Sequence, residues 1–406
     1  MSGSSTTAPA PTGYSTEIRL LFRTAMLVFV ITVGIGLLNG LDLVEFDRNT
    51  VLTHVHAGTI GWITLSVFAF TLWLMGGDET SLGRGSAWLA VVAVPLYVLA
   101  FWSGRFTLMA VFGTAVLLAI FGFLAHAARA YMRSEATTPK LAVVASLLTL
   151  AIGSSIGVLI QIERAIGEPF LPGEAIGGHA GAQVVGYLVL VGMALAEWRL
   201  APEARLNRLA LTQVALLFVG GLLVSIGALT GSEPLLGAFI PLELVALGIF
   251  LFRLGPRAAR APWLERGEIR HFALTVPFLV VNVILLVTLL SGVISGRYED
   301  FTAVPPWLIF AFDHAMFIGV MTNALFGLGM ALGDARARAL PWADDLAFWG
   351  MNVALIGFVI GLMLQSAVLK RISTPVLGVS ILVMLVALWL RLGQERSPAP
   401  KVTTRA

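Results

Sequence analysis

Long apolar stretches alternate with short polar ones along the whole chain. Twelve of these stretches approach or exceed the roughly 20 residues that an α-helix needs to cross a bilayer. They cover, to within several residues, 18–39, 51–75, 86–103, 106–128, 141–162, 176–197, 209–230, 235–254, 271–294, 306–331, 346–368 and 374–392. The pattern therefore predicts an all-α integral membrane protein built as a bundle of twelve transmembrane helices.

Polar segments flank the predicted bundle. Residues 1–16 are small and polar, with neither a basic start nor a cleavage site, and this pattern predicts a disordered tail rather than a signal peptide. We expect a twelve-helix transmembrane domain over 17–393 and a cytoplasmic C-terminal tail over 394–406.

Basic residues are distributed unevenly between the two sides of the predicted bundle. Twelve spans place both termini on one side, and 20 of the 26 Lys and Arg residues fall on that side. The other six are Arg48, Arg105, Arg164, Arg297, Lys370 and Arg371. By the positive-inside rule, we expect a multi-pass protein of a bacterial-type inner (cell) membrane, with both termini in the cytoplasm.

Composition supports this prediction and excludes several chemistries. Hydrophobic residues make up 58% of the chain and charged residues 12%, about half the usual share of a soluble protein. The lipid bilayer is thus the expected surrounding, and we expect no nucleic-acid partner. Cysteine is absent, which excludes disulfides, thiolate metal sites and covalent haem attachment through cysteine.

Four of the six histidines fall in the outer half of predicted spans. His54 and His56 lie on the second helix in "THVHAGTIGW", His179 on the sixth in "GGHAGAQVVGY", and His314 on the tenth in "FDHAMFIGVMT". Ionisable side chains at membrane depth are rare and usually functional. His126 and His271 fall at cytoplasmic helix ends, where we expect interfacial residues that reach toward headgroups.

The spacing of His54 and His56 predicts two sites rather than one. Two residues along a helix correspond to a rotation of about 200°, so the two imidazoles point to nearly opposite faces. Each site then needs a second ligand from another helix, and His179 and His314 are available. A flat haem held by two axial imidazoles suits this arrangement better than a bare ion surrounded by four ligands. The outer residues Arg48, Arg105, Arg164 and Arg297 are candidate partners for haem propionates.

Twelve helices with histidines in the outer half of helices 2, 6 and 10 resemble subunit I of the haem–copper oxidase superfamily. The run "HVHAGTIGW" resembles the ligand motif of the cbb-type oxidases, although that motif lies on helix 10. The paired histidines of helix 2 also resemble the NnrS family of membrane haem proteins. The resemblance implies an oxidase-like bundle, a haem held by His54 or His56 with His314, and His179 at a copper-ligand position.

Departures from the oxidase pattern narrow the implied chemistry. The predicted seventh helix, 209–230, contains no histidine, so the copper site of the oxidases cannot be completed. Gln183 stands where many oxidases have a tyrosine linked to a copper ligand, and the tenth helix has one histidine instead of two. These differences argue against four-electron reduction of oxygen with proton pumping.

Other polar residues within the spans are candidates for supporting roles. Asp313 adjoins His314 and could bond a propionate, relay protons, orient an imidazole or pair with an outer arginine. Gln183 and Tyr187 share a face with His179 and could line a ligand cavity or bond a neighbouring helix. Glu243 lies well inside the eighth helix, where a carboxyl would be protonated, paired or part of a proton path.

We therefore expect a membrane haem protein with two haem b groups bound through His54, His56, His179 and His314, and with copper or another second metal as an open question. Its chemistry would be electron transfer or an oxidoreductase reaction of a diatomic gas, nitric oxide ahead of oxygen. A donor protein or a quinol would supply electrons. Two alternatives stay open: a transporter of a small solute or metal ion with histidines as relay or ligands, and a non-catalytic haem sensor or assembly partner.

Overall fold

A computed structural model describes residues 13–76, 79–172, 174–299, 303–333 and 339–393. The described residues form twelve helices long and apolar enough to cross a membrane, which confirms the all-α twelve-helix fold. In chain order they are α1 (Ser15–Gly40), α2 (Arg48–Met75), α3 (Ser81–Ser103), α4 (Phe106–Met132), α5 (Thr138–Ile166), α6 (Ala175–Leu200), α7 (Arg208–Thr230), α8 (Glu233–Ala259), α9 (Glu268–Ile294), α10 (Pro306–Leu332), α11 (Ala343–Met363) and α12 (Ala367–Leu392).

The chain enters the bundle slightly earlier than the apolar pattern indicates. Helix α1 begins at Ser15, and Tyr14 before it is fully buried. The Tyr14 hydroxyl accepts a hydrogen bond from the backbone N–H of Thr80, 2.6 Å away, which ties the start of α1 to the start of α3. Of the predicted tail, Tyr14 is therefore packed in the bundle and Ser15 and Thr16 belong to α1, while 1–12 and 394–406 lie outside the described residues.

Helices α2, α6 and α10 occupy the centre of the bundle. Within the most apolar window of each, 78% of α2, 78% of α6 and 72% of α10 is buried inside the protein. In α4 and α8 that share is 33%, so these two helices present most of their surface to the surroundings. The three central helices are the three that carry His54, His56, His179 and His314.

Each central helix widens into a π-helical segment within two residues of a histidine. The segments are Ala57–Thr64 after His56, Gly181–Leu188 after His179, and Ala315–Thr322 after His314. Threonine hydroxyls bond the carbonyls five residues earlier in two of them, Thr64 to Thr59 at 3.1 Å and Thr322 to Phe317 at 2.8 Å. Such widened turns are frequent at functional sites.

Side-chain hydrogen bonds join the three widened segments. Trp62 on α2 donates its indole N–H to the Thr322 hydroxyl on α10, 3.1 Å away, in a fully buried position. Tyr187 on α6 donates to the Thr64 hydroxyl on α2, at 3.3 Å. Helix α2 is thus bonded to both other central helices just below the histidines.

Charged side chains pair between helices at the opposite end of the bundle. Arg253 on α8 bonds Glu197 on α6 and the Gln213 side chain on α7. Arg270 on α9 bonds the carboxylate of Asp345, with a nitrogen–oxygen distance of 2.9 Å. These pairs satisfy several of the charges that the buried helix ends carry.

The expectation that His126 and His271 reach toward headgroups is wrong. His126 is 4% exposed and His271 is fully buried. Tyr14 covers the His126 ring, with ring centroids 5.5 Å apart, because the start of α1 folds over that helix end. His271 faces the side chain of Asn323 on α10, at 3.3 Å between Nδ1 and Oδ1. Both histidines are part of helix packing.

Candidate functional site

Two cavities within the described residues flank α2 near the end of the bundle where the central helices begin. The first cavity, about 400 Å³, is lined by His54 and by His314 of α10. The second cavity, about 540 Å³, is lined by His56 and by His179 of α6. The two neighbouring histidines of α2 therefore face different cavities, as their spacing predicts, and each meets one histidine from another central helix.

All four imidazoles are held in one tautomer by backbone carbonyls. In each ring Nδ1 lies close to a carbonyl oxygen, at 2.9 Å for His54, 2.8 Å for His56, 2.7 Å for His179 and 2.7 Å for His314. A carbonyl can only accept, so Nδ1 carries the hydrogen and Nε2 keeps its lone pair. No hydrogen bond within the described part of the chain uses these Nε2 atoms. Each cavity thus receives two imidazoles in the form that binds a metal.

The carbonyl partners differ within each pair. His54 bonds Thr32 on α1 and His179 bonds Gly153 on α5, so these rings are fixed by a neighbouring helix. His56 and His314 bond carbonyls four residues earlier on their own helices, Leu52 and Phe310. Each cavity therefore combines one ring bonded to a neighbouring helix with one ring bonded to its own helix, and the latter rings pack on Phe101 of α3 (His56) and Phe358 of α11 (His314).

Glycines make room for the two rings that are fixed by neighbouring helices. A Cβ atom on Gly36 of α1 would stand 3.1 Å from Cε1 of His54. A Cβ atom on Gly157 of α5 would stand 2.9 Å from both Cε1 and Nδ1 of His179. Close approach of the backbone thus sets where these two imidazoles lie.

The first cavity is mainly aromatic and aliphatic. Its walls include several large rings: Phe29, Trp62, Trp307, Phe310, Phe317 and Phe358. The Trp62 ring is stacked on Phe29 with centroids 4.8 Å apart. Aromatic surroundings of this kind suit the faces of a large planar group.

Lys370 is the cation that lines the first cavity, and the sequence alone did not single it out. Its ammonium lies 2.5 Å from Asp42, which also bonds Arg371 at 3.0 Å. Hydrogen bonds from Lys370 and Arg371 hold the pKa of Asp42 below its ordinary value of 3.8. None of Arg48, Arg105, Arg164 and Arg297 lines either cavity.

The second cavity carries more polar side chains. Those that line it besides the histidines are Thr59, Thr64, Tyr97, Ser154, Glu174, Gln183, Tyr187 and Asp313. Gln183 also bonds Ser154 on α5, at 3.0 Å, so it both lines the cavity and links helices. Tyr187 does the same through Thr64. Tyr97 on α3 also lines this cavity, and the sequence pattern did not indicate it as a site residue.

Asp313 and Glu243, the carboxyl groups that the sequence pattern indicated within the spans, have no ion pair with the described residues. Asp313 lines both cavities and so lies in the wall between them. Glu243 on α8 is 1% exposed, and neither of its carboxyl oxygens has a hydrogen-bond partner among the described residues. Glu243 lines neither cavity, so its burial is separate from the paired histidines.

The described residues contain no group of three or more His, Cys, Asp or Glu side chains arranged to hold one ion. Each cavity brings two imidazoles, which is too few for a closed tetrahedral site. Comparison of the sequence with protein-family models and with curated proteins found no match. The functional argument therefore depends on the geometry of the two cavities.

Proposed function

We propose that this multi-pass membrane protein binds two haem b groups, one in each cavity. His54 and His314 would hold the first haem, and His56 and His179 the second. The observation that carries this proposal is the set of four imidazoles, each with Nδ1 bonded to a carbonyl and Nε2 left for a ligand. Two such rings from different helices line each cavity, which is the donor set of a haem with two axial histidines.

The dimensions and walls of the cavities fit this group. Their volumes of about 400 and 540 Å³ lie within the usual range of cofactor pockets. Gly36 and Gly157 let the backbone approach the ligating rings closely. The aromatic lining of the first cavity offers flat apolar surfaces to a macrocycle. Lys370 would be the cation available to a propionate there.

Bound haem would supply one-electron chemistry and, in place of one imidazole, a position for a diatomic gas. The residues of this chain would do the rest. The carbonyls of Thr32 and Gly153 orient His54 and His179 through Nδ1, as outer partners of metal ligands do. The walls of the first cavity are mainly aromatic and aliphatic, while the second cavity carries more polar side chains beside the space for a ligand.

Nitric oxide is our preferred substrate ahead of oxygen. The chain lacks histidine on α7, and Gln183 occupies the position of the oxidase tyrosine, so a copper centre of the oxidase kind is not formed. Kinship with haem–copper oxidase subunit I or the NnrS family remains part of this proposal, supported by the histidine-bearing helices 2, 6 and 10. The proposal also includes a cell-membrane location with cytoplasmic termini, which the charge distribution supports. It further includes an electron donor that is a protein or a quinol.

The direct test is spectroscopy of the full-length protein purified from haem-replete cells. We expect a Soret band, reduced-minus-oxidised bands of haem b, and two haems per chain by pyridine haemochrome assay. The matched control is His126→Ala, because His126 is buried outside both cavities and should leave haem content unchanged. A colourless wild-type protein that takes up a metal or solute into proteoliposomes would overturn the proposal in favour of a transporter.

A further inference from the structure

Tyr97 on α3 is a buried phenol with an unused hydrogen-bond donor. Its side chain lines the second cavity and is 8% exposed. Within the described residues its hydroxyl has no hydrogen-bond partner, although buried tyrosine hydroxyls usually find one. The phenol therefore has a donor available to whatever occupies the cavity.

The ring of Tyr97 is firmly placed beside His56. The two ring centroids are 6.1 Å apart with nearly perpendicular planes, and Phe101 lies 4.9 Å away on the same helix. The outer end of the ring passes over Gly113 of α4, where a Cβ would stand 3.1 Å from Cε2 and 3.3 Å from Cζ. Gly113 also lines the second cavity, so the hydroxyl end of Tyr97 belongs to that wall.

Most other donors in the second cavity are already committed. The hydroxyl of Thr59 donates to the backbone carbonyl of Val55, and the hydroxyl of Thr64 donates to the backbone carbonyl of Thr59. Tyr187 donates to Thr64, and the Gln183 amide donates to Ser154 and to the carbonyl of Leu150. Ser154 accepts from Gln183 and keeps its own hydrogen, so it is the competing donor.

We propose that the Tyr97 hydroxyl donates a hydrogen bond to a small ligand bound in the second cavity, and so helps to select that ligand. The inference rests on the proposed function, because the ligand would bind the haem held by His56 and His179 in place of one imidazole. The ligand class is a diatomic molecule whose outer atom accepts a hydrogen bond, such as nitric oxide or oxygen. Tyr97 is thus a specificity-determining residue contributed by α3, outside the three histidine-bearing helices.

The test compares Tyr97→Phe with the wild type in the reduced carbon-monoxide complex. Loss of the donor should move the infrared stretch of bound carbon monoxide to higher frequency. Dissociation of nitric oxide should become about five-fold faster, as expected for the loss of one neutral hydrogen bond. The matched control is Tyr187→Phe, whose hydroxyl is already bonded to Thr64 and which should leave the stretch unchanged. Ser154→Ala should leave it unchanged as well.

The outcomes separate this inference from the proposed function. A wild-type protein without haem bands would overturn the proposed function. Full haem content with an unchanged carbon-monoxide stretch in Tyr97→Phe, or a shift in Ser154→Ala alone, would overturn the role of Tyr97. If Tyr97→Phe fails to fold, Gly113→Ala serves instead, since its methyl group displaces the Tyr97 ring while the hydroxyl is kept. A shifted stretch then supports the role of Tyr97, and an unshifted one excludes it.

Discussion

The two cavities beside α2 share the arrangement of their histidines and differ in most of their other lining residues. Each has one imidazole from α2 and one from another central helix. In each cavity, one of these two rings is bonded to a backbone carbonyl of a neighbouring helix. The first cavity is then closed by aromatic rings such as Trp62 and Phe29. The second is lined by hydroxyl, amide and carboxyl groups, including Tyr97 and Glu174.

This contrast indicates that the histidine ligands do not by themselves decide the chemistry of each cavity. A haem with two histidine ligands among mainly aromatic and aliphatic side chains is suited to passing electrons, since the cation of that cavity, Lys370, is already paired with Asp42. A haem with an available phenol and nearby carboxyl groups is suited to binding a polar gas and to proton transfer. We therefore assign electron transfer to the first cavity and ligand chemistry to the second, within the proposed function.

Removal of single histidines should have the largest effect. His54→Ala should lose the haem of the first cavity and keep the second, and His56→Ala should do the reverse, because each imidazole faces one cavity. Haem content per chain should fall from two to one in both variants. Optical difference spectra should show different lost components, and carbon-monoxide binding should survive in His54→Ala only. Equal losses from both spectral components would show that His54 and His56 do not serve separate cavities.

Crowding of a fixed ring should have a smaller effect, confined to one cavity. In Gly157→Ala the added methyl stands 2.9 Å from His179 and should displace that ring from its place beside Gly153. Disturbed outer partners commonly weaken metal binding by about 10- to 100-fold, and we expect the lower end for the second haem. Gly36→Ala is the matched variant for the first cavity. Haem retention during dilution measures the affinity of each variant for its haem. Loss of the haem from the cavity opposite the substitution would show that these glycines do not act on the ring they adjoin.

Cutting the bonds between central helices should destabilise the bundle moderately. Trp62→Phe removes the indole N–H that bonds Thr322 and the larger ring that lines the first cavity, and should cost about 1–2 kcal/mol. Tyr187→Phe removes only the 3.3 Å bond to Thr64 and should cost about 0.6 kcal/mol. Unfolding in mixed detergent micelles gives the order. A costlier Tyr187→Phe would show that α6, not α10, is the tighter partner of α2.

Charge changes at the mouth of the first cavity should have the smallest effect. Lys370→Met should lower the midpoint potential of the first haem and Asp42→Asn should raise it, since positive charge favours the reduced form. We expect small shifts, because water screens the interactions of exposed charges. Redox titration of the two components measures them, and the second haem should not respond.

The pH dependence of the Asp42→Asn shift follows from the pKa of Asp42. Lys370 and Arg371 hold that pKa below 3.8, so Asp42 stays charged at every pH above its ordinary value. The potential difference between wild type and Asp42→Asn should therefore persist down to about pH 4 and vanish only as Asp42 is protonated at lower pH. A difference that disappears near neutral pH would mean that another group carries the effect.

The sequence pattern predicted the helices and one essential feature of the site. Apolar runs set the twelve spans, and the two-residue spacing of His54 and His56 predicted that their rings face opposite sides of α2. The pattern left the pairing open, because helix order along the chain does not say which faces meet. It also could not show the π-helical segments, which depend on bonds such as that of Thr322 to Phe317 five residues before. Lys370 and Tyr97 reach the cavities through packing of distant helices, a signal that no local spacing contains.

The decisive measurement is the haem content of variants in which two histidines are replaced together. The claim is that His54 shares a cavity with His314, and His56 with His179. We predict that the double variant His54→Ala/His314→Ala keeps one haem per chain with the spectrum of the second cavity. The double variant His54→Ala/His179→Ala should keep none, because it removes a ligand from each cavity. The opposite result would rule out this pairing: one haem retained in His54→Ala/His179→Ala and none in His54→Ala/His314→Ala.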